Sequence, residues 1–138
     1  MNHRNAVAKG LRWPRLEAGL VVLVAAHSAA IGLGAIVAAR WGLRFGGFEG
    51  GGPLFFARQV GVFHLVVGCA YLIEWYRYRG IAILVTTKAI AVVFLGTMMI
   101  VDSLPWIVPF SALGDALMGA AVWVVHRRAS PEATGLLR

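Results

Sequence analysis

Residues 81–101, IAILVTTKAIAVVFLGTMMIV, form an apolar run with a single lysine set inside it. At 1.5 Å per residue a helix of this length is roughly 30 Å long, the thickness of the hydrocarbon core of a bilayer. A half-buried strand or the surface helix of a water-soluble domain would show polar residues at a regular period, and this run shows none. Lys88 is the eighth residue of the run. A lone charge at that depth costs at least ~2.5 kcal/mol on the mildest insertion scale, so a polar group from another span is expected to face it.

Composition extends that reading to the whole chain. Of 138 residues 59% are hydrophobic and 14% charged, where a soluble domain lies nearer half and a quarter. The formal net charge of +7 could suggest nucleic acid, but the basic residues sit at the ends of apolar runs, where they set topology and meet lipid headgroups. The expected partners are therefore the lipid bilayer and other membrane protein subunits, with no nucleic acid. The single cysteine, Cys69, leaves no internal disulfide and no Cys-based zinc or iron–sulfur site. Inside an apolar run, a small buried thiol is the ordinary expectation for it.

The hydropathy pattern predicts an all-α integral membrane four-helix bundle in one transmembrane domain, with spans at 16–39, 58–76, 81–101 and 106–125. Residues 1–15 are a basic head in which Pro14 suits a first helical turn. The first apolar run continues past any plausible cleavage point, so it reads as a retained helix and not a secretory signal. Ser28, Gly32 and Ala35/Ile36 place small side chains at helical spacing, a surface for close helix packing. Residues 40–57 form a Gly-rich periplasmic loop whose Trp41, Phe45, Phe48, Phe55 and Phe56 suit the headgroup level. A mobile interfacial loop is the plain reading of it, and a lid over an opening between helices the alternative. It is no phosphate loop, for it has no Gly-Lys-Ser/Thr and no preceding strand. Short turns at Gly80 and at 102–105 make spans two and three, and three and four, antiparallel neighbours. The polar tail, 129–138, is expected to fray.

Counting Lys and Arg gives the topology. Arg4, Lys9, Arg12, Arg15, Arg77, Arg79, Arg127, Arg128 and Arg138 fall on one side, and only Arg40, Arg44 and Arg58 opposite. The richer side is cytoplasmic, which puts both termini inside a bacterial inner membrane. Spans one and two do not echo three and four, which disfavours an inverted-repeat transporter within one chain.

From the cytoplasmic face Lys88 comes out at roughly 12 Å, Asp115 and His27 at roughly 16 Å, and His64 at roughly 20 Å. Four ionisable residues, one per span, thus share a thin slab and are not expected to face lipid. Lys88 and Asp115, on adjacent antiparallel spans, are expected to form an ion pair or neutral hydrogen-bonded pair, with Thr86, Thr87 and Ser111 completing its hydrogen bonding. Such a pair either fixes which helix faces turn inward or handles a proton or anion. His27 and His64 could ligate a b-type haem, with Gly61, Gly68 and Gly34 leaving room for a flat ring. They could equally hydrogen-bond a quinone head group, or serve helix packing. Glu74, beside Trp75, Arg77 and Arg79, reads as an interfacial salt-bridging acid and a more distant support of the pair. His3 and His126 lie in the flanks and carry no argument. No nucleophile, zinc-protease or dinucleotide motif appears, so no catalytic or metal residue is assigned.

Arg58-Gln59-Val60-Gly61, followed by Gly68 and Tyr71, together with the four-span plan, resembles the DoxX-like superfamily that includes the BphX-type proteins. The resemblance implies a four-helix bundle and, from the family's namesake, a membrane subunit associated with quinone-linked sulfur oxidation. It carries no residue roles onto this chain. The function expected is an accessory, quinone-proximal subunit of a larger membrane redox complex. The alternatives are a homo-oligomeric channel or carrier using Lys88 and Asp115, and an electron carrier with haem b at His27 and His64.

Overall fold

The computed structural model describes residues 12–48 and 53–135. These hold helices α1 (Arg12–Val37), α2 (Ala39–Phe45), α3 (Leu54–Tyr78), α4 (Ala82–Val101) and α5 (Ile107–Gly135), and no strand occurs among the described residues. Four of the helices are long and apolar enough to cross a membrane, over Trp13–Val37, Leu54–Tyr78, Ala82–Val101 and Ile107–Ala129. A helix pairs its own backbone N–H and C=O groups, which is what a segment surrounded by hydrocarbon requires. Large apolar side chains stand outward all around the molecule, among them Leu23, Phe63, Val93 and Leu117. Water would not tolerate so continuous an apolar exterior, and a bilayer would.

The helices extend further than the apolar runs. Residues 40–45, expected in the long loop, are helical, and α3 begins at residue 54. Ala38 departs from helical geometry (φ −114°, ψ 31°), yet its N–H still reaches Gly34 and its carbonyl accepts from Gly42. α2 is thus a bent continuation of α1. An aromatic cluster holds it: Trp41 stacks on Phe45, Phe45 meets Trp106 edge-on, and Trp106 Nε1 donates to the Phe45 carbonyl at 3.2 Å. The chain then turns through Gly47, whose φ of +85° favours glycine. At the other terminus the expected frayed tail is helical through residue 135. Of the N-terminal head only residues 12–15 are described, in the first turn of α1; His3 lies outside the described residues, as do 49–52 of the glycine-rich stretch.

α1 packs most extensively against α3, α4 packs on α5, and α1 also meets α5. α3 and α4, joined by a tight turn, make few contacts and part beyond it. The α1–α3 seam is built from the small residues of both helices: a Cβ on Gly61 would stand 2.6 Å from the Gly32 carbonyl oxygen, and one on Gly68 3.1 Å from that of Ala25. The best-packed core lies toward the α3–α4 turn, where Val21, Val24, Ala25, Tyr71, Trp75, Ile81, Leu84 and Val122 are buried together.

Glu74 departs from the sequence expectation. Its two carboxylate oxygens accept from the N–H groups of Ala82 and Ile83, each at 2.9 Å, so α3 caps the start of α4. The first amides of a helix lack intrahelical acceptors and carry its positive dipole end, which draws a buried carboxylate more strongly than exposed arginines do. Arg79 instead adopts a left-handed conformation (φ 53°) that ends α3 and lies over the Trp75 ring.

Candidate functional site

Lys88 projects from α4 toward α5 with 5% of its surface exposed. Gly119 on α5 admits it, since a Cβ there would lie 3.2 Å from the Lys88 Cβ. One helical turn earlier on α5, Asp115 Oδ1 accepts a hydrogen bond from Lys88 Nζ at 2.5 Å. Each charge is thus compensated in surroundings where either alone would be costly.

The pair forms one wall of a chamber of about 170 Å³. Ser28 of α1, His64 and Tyr71 of α3, Thr87 of α4, and the pair itself supply its polar surface, so all four long helices contribute. Val60, Phe63, Val67 and Ala91 supply the apolar remainder. Val60 and Phe63 of α3, both exposed, carry its lining out to the surface of the molecule. Tyr71 is 1% exposed, and its hydroxyl has Thr87 as its one neighbouring polar side chain among the described residues, in poor hydrogen-bonding geometry. Behind the pair, a second cavity of about 230 Å³ opens between α4 and α5 among Ala89, Ala116, Ala120 and Trp123. Lys88 and Asp115 therefore partition two spaces.

The remaining expected residues are distributed as follows. His64 is half-buried and lines the chamber, whereas His27 is exposed on α1 and does not line it. The room expected beside His64 at Gly61 and Gly68 is taken by the backbone and side chains of α1; Gly34 alone of the three faces open space. Thr87 reaches the chamber, while Thr86 and Ser111 are exposed outside it. Glu74 supports the α3–α4 turn and not the pair. Cys69 is exposed, contrary to expectation, because the neighbouring Gly68 takes the face turned to α1. No three His, Cys, Asp or Glu side chains gather as metal ligands among the described residues.

Ser28, Tyr71 and Glu17 were not given these roles by the sequence. Ser28, 1% exposed, is a chamber residue as well as a small packing residue. Glu17, 5% exposed near the start of α1, pairs with His126 near the end of α5. His126 is thus no mere flanking residue. Beside this contact Arg127 lies over Trp123 and Arg128 over Trp13, stacking cations on rings at the same end of the molecule.

The chamber presents the bonded Lys88–Asp115 pair together with the hydroxyls of Ser28, Tyr71 and Thr87 and the imidazole of His64. That set can grip a small head group bearing carbonyl or hydroxyl oxygens, and its apolar margin admits a hydrocarbon substituent. No protein-family model, no curated protein and no solved structure matches this chain.

Proposed function

We propose that this is a four-helix bundle of a bacterial inner membrane, with both termini cytoplasmic and the DoxX-like plan, that holds the head group of a quinone as an accessory subunit of a larger membrane redox complex. The observation that carries the proposal is the chamber itself, where the Lys88–Asp115 pair meets His64, Thr87 and a buried Tyr71 hydroxyl that is poorly satisfied among the described residues. Buried hydroxyls nearly always have a partner, and a quinone oxygen is a suitable acceptor for this one. The exposed apolar Val60 and Phe63 in the chamber's lining favour a ligand that arrives through lipid over an ion that arrives through water.

The test is binding of a quinone analogue to protein in nanodiscs, followed by tryptophan quenching. Saturable binding is expected, weakened about tenfold in Tyr71→Phe, the loss of one hydrogen bond, and abolished in the double variant Lys88→Met/Asp115→Leu. Absence of saturable binding to the wild type, or equal binding by all three proteins, overturns the reading. Co-purification of redox subunits from native membranes tests the accessory role. A carrier is the second reading, favoured by the two cavities that meet at the ion pair. Proton or solute flux into liposomes holding this protein alone would select it.

A further inference from the structure

At the α2 end of the molecule a larger groove, about 640 Å³, runs between the second half of α1, the underside of α2 and the first turns of α3. Its walls are apolar and shallow-sided, with Ala30, Gly34, Ala39, Gly42 and Ala57 leaving the space and Trp41 closing one edge. None of the chamber's polar residues reaches it. Groove-lining residues run from Ala30 to Ala35 along α1, about 8 Å of helix, and resume past the bend at Ala39 of α2.

Three exposed arginines stand next in sequence to groove-lining residues. Arg40 and Arg44, four residues apart and exposed, alternate along α2 with the groove-lining Ala39, Trp41 and Leu43. Arg58, also exposed, follows the groove-lining Ala57 on α3. None of the three forms an ion pair among the described residues. They are also the only basic residues assigned to this side of the bilayer. The aromatic cluster fixes α2, and with it the backbone that carries Arg40 and Arg44, beside the groove.

We infer that this groove is a binding site for an anionic phospholipid, one acyl chain lying along α1 and the phosphodiester among Arg40, Arg44 and Arg58. The apolar lining and the neighbouring charge match such a lipid. A zwitterionic lipid would satisfy the groove and leave the arginines with a headgroup of no net charge. The groove shares Val60 with the chamber but contains none of its polar residues.

The experiment is native mass spectrometry of the full chain, delipidated in a neutral detergent and titrated with phosphatidylglycerol or phosphatidylcholine of identical acyl chains. Wild-type protein is expected to bind one phosphatidylglycerol with a preference of about tenfold or more. Arg40→Gln/Arg44→Gln should lower that preference below about threefold while leaving chain binding in place. Gly34→Leu, placed where no atom lies within 4 Å, fills the groove and should lose both lipids. Circular dichroism checks that each variant is as helical as the wild type; the arginines are exposed, so their variant reads out the charge effect even if the leucine disturbs folding. Equal retention of the two lipids by the wild type, which would indicate an annular coat alone, overturns the proposal. So does an unchanged preference in the arginine variant, or undiminished binding by a folded Gly34→Leu protein.

Discussion

The α1–α3 and α4–α5 seams solve the same packing problem by different means. Between α1 and α3 the helices meet through shape: Gly32 and Gly61 bring two backbones into contact, and neither ion pair found among the described residues crosses the seam. Between α4 and α5 the central contact is electrostatic, Lys88 to Asp115, with Gly119 clearing space for the lysine stem. The first arrangement has no slack for added atoms, since protein interiors are packed as tightly as crystals. The second has no slack for an unbalanced charge, but the charges can leave together. A seam of the first kind fixes helix position. One of the second kind fixes it and also leaves polar groups at a cavity, where they can meet a ligand.

The strongest way to break the comparison is to remove one charge. Asp115→Leu is expected to destabilise the protein by about 3–5 kcal/mol, because it strands Lys88, and Lys88→Met added to it should recover most of that loss. Unfolding in mixed micelles with increasing dodecyl sulfate, followed by helical dichroism, measures both. On the shape side, Gly61→Ala adds one methyl group against the Gly32 carbonyl and should cost about 1–3 kcal/mol in the same assay. A second-site charge change should not rescue it. Glu74→Gln keeps one carbonyl acceptor but loses the carboxylate, an expected loss of about 1 kcal/mol with faster hydrogen exchange at the Ala82 and Ile83 amides. The smallest effect has the opposite sign. Gly96→Ala, at a glycine in α4 with no neighbour within 4 Å of a new Cβ, should stabilise by about 0.5 kcal/mol. The same added methyl would then destabilise at one seam and stabilise away from it.

Hydropathy makes the four long helices legible, because a spanning segment must be apolar on every face and of fixed length. It does not reveal α2, whose seven residues include two arginines and whose helical state depends on contacts with Trp106, distant in sequence. Counting residues from the span ends places Lys88 and Asp115 at neighbouring levels. The same count applied to Glu17, an acid one residue inside the first apolar run, would have directed attention to His126 at the corresponding level of the last helix. The basic residues around His126 obscured that signal by making it look like part of the aqueous flank. Glu74 could not be assigned its role in this way, because its partners are backbone amides and no residue type marks them. Nor does spacing separate a glycine that makes room for a ligand from one that admits a neighbouring helix. Gly61 and Gly68 do the latter.

The Glu74 cap also bears on how such a chain enters a bilayer. Helix starts that emerge from a turn carry bare amides, and dragging them through a nonpolar phase is opposed by several kilocalories per mole for each unpaired group, on the order of 2–7 kcal/mol. Here the acceptor travels on the preceding helix, eight and nine residues upstream of the amides it serves. α3 and α4 can therefore be delivered to the membrane as one closed hairpin, its turn already satisfied before α1 and α5 arrive to complete the molecule.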